Sequence, residues 1–399
     1  MDLVLEIADT YALDKIWAAA WPALPRSLDP STLASAASTS SVSSSNFTSL
    51  LGLSSDAATW AASASTSALS PSNWFANTVL KDAVASSLSG NNVDWSALKH
   101  VSALPRDNII RQTVSLLILT YIGILVLYFS FAGLSYKYIF NKEMEKHPRF
   151  LKNQVQLEIK ASMDAFLPLD FLTVPWFVME VRGHSKLYNN ISDYGWGYAA
   201  LSIPLFLVFT DFLIYWVHRI EHHPRLYKHI HKPHHKWLVP TPFASHAFHP
   251  LDGYVQSLPY HIFPFVFPLH RVVSICLFVF VNLWSILIHD SDMICNSPLE
   301  KIINGPSHHT LHHLFFTCNY GQYFTFCDRA GGSYRAPKME DDPLLAVVAA
   351  EEKEKLAAKK KQQAEAVAKK VEELGSSAES DSSSGDEGVV IKKESRKNK

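Results

Sequence analysis

Three histidine motifs could do chemistry together: His218-Arg-Ile-Glu-His222, His231-Lys-Pro-His234-His235 and His309-Thr-Leu-His312-His313. Of the 19 histidines in the chain, 16 lie between His218 and His313. On a helix, positions i, i+3 and i+4 share a face, so imidazoles at these spacings can converge on one cation or bridge two. A pH sensor needs no such repeated spacing. A solvated polar face would not place one HxxxH and two HxxHH so close together. Eight imidazoles (His218, His222, His231, His234, His235, His309, His312 and His313) exceed what one tetrahedral or octahedral ion can use, so two ions is the natural count. The chain has no HExxH, which excludes the common zinc metalloprotease signature. No cysteine lies inside the motifs, so neither a thiolate site nor an iron–sulfur cluster fits. Imidazole suits Fe, Cu, Zn and Ni alike, and ligand type does not choose among them.

Two more histidines join the candidate list. His289 ends an apolar run beside Asp290, where a histidine needs a reason. His249 lies in Ser245-His-Ala-Phe-His249-Pro, with His246 as its alternate. His223, His229, His261, His270 and His308 are read as surface or packing residues. Asp211, inside an apolar run, is a candidate for holding a ligand imidazole by its N–H, with a helix-end residue as the plainer reading. Asp252, Asp290 and Asp328 are weaker candidates for the same task. Trp216, Trp237 and Trp284 are read as lipid-facing or core aromatics before tunnel walls.

The elements that position these residues are apolar. Charged residues make up only 18% of the 399 residues, below the usual quarter, and the net charge is −1. No charge balance favours nucleic acid. The run from Val114 to Leu134 is uncharged and long enough to cross a hydrocarbon core. Lys142, Lys146, Arg149 and Lys152 follow it, which predicts that this end faces the cytosol. Residues 163–180 are apolar but contain Pro168 and Pro175, consistent with a re-entrant or tilted segment. Tyr198–Val217 runs into the first motif, and Phe263–Ile288, a hairpin or one tilted span, runs into His289. The candidate ligands therefore begin where apolar helices end, at the membrane edge.

Three regions are expected. The first is 1–109, whose opening 30 residues carry none of the basic stretch, long apolar run and small-residue cleavage site of a signal peptide. It includes a Ser/Ala/Thr-rich stretch over 31–73 that cannot bury enough apolar area to order itself. A weakly amphipathic segment follows over 74–109. Residues 110–337 carry the apolar runs and the histidines. Residues 338–399 read as a charged helix followed by disorder, a Ser/Asp/Glu run and a basic end whose last four residues, Arg396-Lys-Asn-Lys399, either resemble a dilysine retrieval signal or are simply a basic tail. The four cysteines form no CxxC and are read as structural bystanders. The fold class expected is all-α: an integral membrane helical bundle with a histidine-rich di-metal site on its cytosolic side.

HRxxH, HKPHH and HTxHH in this order on apolar helices resemble the fatty-acid hydroxylase and sterol desaturase superfamily. The run from His231 through Phe265, the segment FVNLWSILIHD and the run from His309 through Arg335 narrow the resemblance to the fungal sterol C-5 desaturases. So do MDLVLEIADTYALDKIW and FLTVPWFVMEVRGHSKLYNNI. The resemblance covers most of 1–25 and 100–337, and neither the Ser/Ala-rich insert nor the tail. This chain departs from the family at Phe316-Thr317-Cys318-Asn319, where an aromatic–Asn–Tyr–Asn run is usual. It departs also at His308, often not histidine in the family, which argues against an essential ligand there.

The resemblance implies a di-iron centre, O2 as co-substrate, and electrons from NAD(P)H by way of cytochrome b5 and its reductase. It also implies insertion of the C5–C6 double bond into a Δ7-sterol, by a multi-pass protein of the endoplasmic reticulum membrane with its site facing the cytosol. An unactivated sterol C–H bond resists acid–base chemistry, so a redox metal is expected and zinc is disfavoured. A lipid hydroxylase or sterol C-4 methyl oxidase of the same superfamily is the near alternative. A non-enzymatic membrane metal transporter or sensor is the alternative of a different class.

Overall fold

The computed structural model describes residues 1–21, 102 and 104–380, with side chains as far as 370. The Ser/Ala-rich stretch, most of 74–109 and the basic C-terminus lie outside the described residues.

The described chain is mostly helical. Helices α1 (Asp2–Ala8) and α2 (Asp14–Ala20) are joined by a π-helical turn. Helix α3 (Ile109–Tyr138) begins at Asn108, whose side-chain oxygen accepts from the amides of Ile110 and Arg111 and satisfies two donors of the first turn. Buried Arg111 pairs with Asp9 at 2.6 Å, which ties the N-terminal helices to the start of α3. Helix α4 (Gln154–Val181) continues unbroken through Pro168 and Pro175, so the re-entrant expectation gives way to a continuous helix. It packs along α3, and Thr120 of α3 donates to Asp170 of α4 at 2.5 Å.

Helix α5 (Gly195–Glu221) carries the first histidine motif at its C-terminal end, and the four-residue α6 (Pro224–Tyr227) follows. The long apolar run near 263–288 is a hairpin: α7 (Pro250–Val266) and α8 (Arg271–Ile288) meet at a two-residue strand, β2 (Leu269–His270). It pairs in parallel with β1 (Leu187–Tyr188). The third motif lies on α9 (Pro306–Phe315), and α10 (Phe326–Gly331) and α11 (Pro343–Ser380) complete the chain. The expected charged tail helix is present as α11. Its first turn docks Leu344 against Phe140, Met144 and Val239.

Among the described residues, three helices, α3, α5 and α8, are long and apolar enough to cross a membrane. At 1.5 Å per residue the 30 residues of α3 span about 45 Å, more than a hydrocarbon core needs. Trp216 and Phe212 on α5 and Ile118, Ile122 and Val126 on α3 point outward, as lipid-facing positions should. The bundle has two distinct ends. At one, Gln154 at the start of α4 donates to the Val239 carbonyl, and Tyr128 late in α3 donates to that of Phe243, both at 2.8 Å. This end carries Lys142, Lys146 and the histidines. At the other, the Lys186 amide donates to Pro264 at 2.7 Å and β1 meets β2.

Candidate metal centre

The structure brings nine of the ten candidate histidines into two groups. His218, His222, His231, His235 and His312 form one, and His234, His289, His309 and His313 form the other; within each, the nearest ring nitrogens all lie within 4.8 Å of one another. Each HxxHH motif divides between the groups. His231 and His235 join the first and His234 the second, whereas His309 and His313 join the second and His312 the first. The outer histidines of a motif, four residues apart, face one way and the middle one turns toward the neighbouring group. The two groups are thereby joined through the chain: His235 and His312 approach at 3.1 Å within the first group, and the residues next to them in sequence, His234 and His313, belong to the second.

The hydrogen bonds fix the protonation of the rings. Nδ1 of His218 donates to the Tyr320 carbonyl at 3.0 Å, that of His312 to Cys318 at 2.7 Å and that of His313 to Trp237 at 2.9 Å. His289 Nδ1 donates to the Ser285 carbonyl at 2.6 Å, and His231 Nδ1 to the Asp252 carboxylate at 2.9 Å. A neutral imidazole whose Nδ1 carries the proton presents a lone pair at Nε2. Yet Nε2 of His218 lies 3.1 Å from Nε2 of His231, two rings whose protons are both committed elsewhere. The separations His309–His289 and His313–His309 are 3.0 and 3.1 Å. Lone pairs facing one another at this distance repel unless an electrophile lies between them. Nitrogens bound at about 2.1 Å and at right angles about one ion are about 3 Å apart. The donor set therefore fits metal ions, one in each group.

Protonation does not relieve the crowding. Burial first, and then the neighbouring imidazoles, hold His234, His235, His309, His312 and His313 well below the ordinary imidazole range. These rings stay neutral at physiological pH, which is the form that ligates a metal.

A second layer holds the histidines in place. Asp211, on α5 two turns before His218, does not touch a histidine. Its Oδ1 accepts from the amides of Gln322, Tyr323 and Phe324 at 3.0, 2.6 and 3.2 Å. Asp328 accepts from Tyr320 and Gly321, both at 2.8 Å, and from the Ser333 hydroxyl. The two carboxylates thus fasten the loop after α9, and this loop supplies the carbonyls that grip His218 and His312. Gly321 is required there, because a Cβ would lie 2.5 Å from the Phe324 carbonyl oxygen. Asp252 fixes the tautomer of His231 directly, with Gln256 donating to its other oxygen at 2.6 Å. Asp290 instead accepts from the Asp292 amide.

His249 lies outside both groups. Its Nδ1 accepts from the Leu251 amide at 3.2 Å, capping α7, and its place before Pro250 marks a helix start. His246 is also outside, hydrogen bonded to Ser245 and Asn282 at 2.9 and 3.1 Å. His223 caps α6, and His229 is exposed. His261 packs among Trp176 and Phe177. His270 donates to the Asn189 carbonyl, and His308 is buried beside Tyr334 outside the groups. Trp237 is core, its indole donating to Ala247; Trp284 donates to Gln322 of the same gripping loop. All four cysteines are free, none within either group. Sequence reasoning passed over Glu221, which is buried with both oxygens unpartnered and lies 4.0 Å from His231 Nδ1. Its place between two candidate ligands in His-Arg-Ile-Glu-His was the available signal.

The chain is similar to known proteins. The family described as fatty acid hydroxylase matches residues 203–333, the segment that contains every histidine of both groups. A Delta(7)-sterol 5(6)-desaturase of Gibberella zeae is 54% identical over 259 residues, covering 65% of this chain and 80% of that protein. Another from Leptosphaeria maculans is 44% identical over 342 residues, covering 85% and 87%. The lathosterol oxidase of Rattus norvegicus is 56% identical over 235 residues, covering 58% and 79%. No solved structure matches. A helical membrane oxidoreductase with two histidine groups at one end of its bundle, this chain belongs to the family of the Delta(7)-sterol 5(6)-desaturases and lathosterol oxidases.

Proposed function

We propose that the chain introduces the C5–C6 double bond into a Δ7-sterol, using O2 and electrons from NAD(P)H delivered by cytochrome b5 and its reductase. In this reading His218, His222, His231, His235 and His312 hold one iron ion, and His234, His289, His309 and His313 hold the second. The observation that carries the metal assignment is the pair of Nε2 lone pairs of His218 and His231 facing one another at 3.1 Å, with the Nε2 atoms of His309, His289 and His313 converging at 3.0 and 3.1 Å in the other group. The sterol assignment is supported by the identity to proteins named for that activity. When bound, iron and oxygen supply the oxidising power that an unactivated C–H bond demands.

The chain's own residues do the rest. The carbonyls of Tyr320, Cys318, Trp237 and Ser285, with Asp252, keep protons on Nδ1 and so leave Nε2 free to ligate. An all-imidazole, neutral donor set would leave the positive charge of bound ions uncompensated by the protein. The rings of both groups, His222 excepted, are buried away from bulk water. A site at the end of the bundle lets a lipid-soluble sterol arrive laterally while electrons arrive from the aqueous side. The lysine-bearing loop at the same end supports a cytosolic orientation in the endoplasmic reticulum membrane.

The test is conversion of a Δ7-sterol by microsomes containing the protein, with NADH, O2 and cytochrome b5. The expected result is the 5,7-diene, with about two irons per chain by metal analysis. A hydroxylated or C-4-demethylated product would instead establish the related oxidase readings. Zinc alone and no turnover in an actively reducing preparation would overturn the proposal.

A further inference from the structure

The histidine end has one opening in its packing. Eight of the nine grouped histidines are buried, and His222 alone is partly exposed. The ring of Tyr227, itself partly exposed, lies over His222 with centroids 5.4 Å apart and planes 30° from parallel. Tyr227 also meets His231 and His235 at 6.4 and 5.9 Å. Phe316, again partly exposed, reaches His235 at 4.9 Å and Tyr227 at 6.4 Å. Two aromatic rings thus connect the five-histidine group to the surface.

The chain around this opening is basic without relief. From His222 to Leu251 there is no Asp or Glu, and Arg225, Lys228, Lys232 and Lys236 are all exposed. The acids that bracket the segment, Glu221 and Asp252, are buried. The segment is also compact. The Tyr227 amide donates to the His223 carbonyl at 2.9 Å, and the amides of His231 and Lys232 return to the Tyr227 carbonyl at 3.2 and 2.7 Å. Lys228 and Lys232 are therefore held to the same turn of chain as Tyr227. The lysines of the 142–146 loop at the same end are different: Lys142 meets Glu145 at 3.9 Å, and Lys146 meets Glu143 and Glu351 at 2.6 and 3.5 Å. Like charges grouped without acids repel one another, and a cluster of them beside the one accessible ligand makes a positive field at that point.

Resting on the reading above, in which electrons arrive from the aqueous side, we infer that Arg225, Lys228 and Lys232 dock the acidic face of a one-electron carrier protein centred on Tyr227. The step served is electron transfer alone. The carrier gives up one electron, the ion held by the five-histidine group gains it, and no bond is made or broken. The cations steer and orient the carrier. The rings of Tyr227 and Phe316 fill the space between its face and the ligand histidines. Anionic lipid headgroups would satisfy the same charges, but a headgroup has no use for an aromatic path to a ligand histidine, and this surface has one.

The experiment measures binding of the soluble haem domain of cytochrome b5 to the full-length, metal-loaded chain in neutral detergent, at low and high salt. The affinity of the unaltered protein should fall as salt rises. Lys228→Glu with Lys232→Glu should weaken it by about tenfold at low salt, because two exposed charge pairs turn from attractive to repulsive. Lys228→Ala with Lys232→Ala should weaken it by about threefold. Lys142→Glu with Lys146→Glu makes the same charge change in the paired loop and should weaken it much less. Metal content and thermal midpoint confirm that each variant is folded. Equal weakening by the two charge reversals, or none by the first, would overturn the docking surface while leaving the desaturase reading intact. So would an unchanged affinity for the haem domain together with lost binding to phosphatidylserine vesicles, which would give these cations to the lipid. If the unaltered protein neither bound the haem domain nor converted a Δ7-sterol with it, the electron-donor reading itself would fall, and this surface with it.

Discussion

Replacing Asp211 with Ala should unfasten one histidine group and spare the other. Asp211 touches no imidazole, but its Oδ1 is the acceptor for three consecutive amides at Gln322, Tyr323 and Phe324. Removing it orphans three N–H groups at the edge of a buried loop. A buried unsatisfied amide costs about 1–3 kcal/mol, so the unrelaxed cost is about 3–9 kcal/mol. Water entry and loop movement lower this toward the bottom of the range, about 3 kcal/mol, which is still over a hundredfold in population. The loop that moves carries the Tyr320 and Cys318 carbonyls, which hold His218 and His312. Both belong to the five-histidine group; the carbonyls of Trp237 and Ser285 that hold His313 and His289 come from elsewhere. Asp211→Ala should therefore retain about one ion per chain, lose turnover and unfold at lower temperature. Asp211→Asn keeps one oxygen acceptor and should lie between Asp211→Ala and the unaltered protein. The assay is metal content by mass spectrometry beside thermal unfolding of the detergent-purified protein. Two ions and an unchanged midpoint in Asp211→Ala would refute the loop argument, and loss of both ions together would refute the claim that the groups are separately supported.

Other outcomes follow from the same geometry. Asp252→Ala should weaken metal retention in chelator competition by about 10–100-fold, because the His231 tautomer is no longer fixed, and Asp252→Asn should fall between; equal retention in Asp252→Ala would show that the contact is incidental. His249→Ala should cost about 1 kcal/mol of stability through the lost α7 cap and leave the metal count alone, whereas His289→Ala should lose an ion; equal metal loss in both would return His249 to the ligand set. Stability of the chelated protein should fall with pH. Burial and neighbouring imidazoles hold five of the clustered rings neutral in the fold, so their folded pKa values lie below the unfolded one of about 6.5. The unfolded chain then binds more protons as pH drops below about 6.5, costing up to about 1.4 kcal/mol per imidazole per pH unit. Thermal midpoints at pH 7.5 and 5.5 report this, and a midpoint that rises on acidification would contradict it.

Spacing exposed the histidines because i, i+3 and i+4 positions are a property of the helix itself. It also left open whether each HxxHH gathers three ligands about one ion or bridges two. The division of each motif between groups depends on where α5, α8 and α9 meet, which is tertiary packing and leaves no local mark. His249 shows the converse. A histidine just before proline at the start of an apolar run has the signature of a helix cap, and capping is its role in the fold. Asp211 was visible as an intramembrane carboxylate, but its partners are backbone amides more than a hundred positions later, and no sequence period reports them. The apolar run near 263–288 was ambiguous for a physical reason: a hairpin and a tilted span share hydropathy and differ only in whether the chain turns, which here it does at β2. Proline was overread in α4, where the neighbouring helices tolerate it without a break.

The grip on the imidazoles is mostly main chain. Tyr320, Cys318, Trp237 and Ser285 act through carbonyl oxygens that any residue would present. The identity of those four side chains is thus uncoupled from the clamp itself, provided the path of the backbone persists. The departure at Phe316-Thr317-Cys318-Asn319 illustrates the freedom this allows: a cysteine at 318 offers His312 the same oxygen that a tyrosine would. Selection can rewrite side chains along this loop while the ligand geometry stays constant. The loop is thereby free to change in composition without first losing and rebuilding its hold on the histidines.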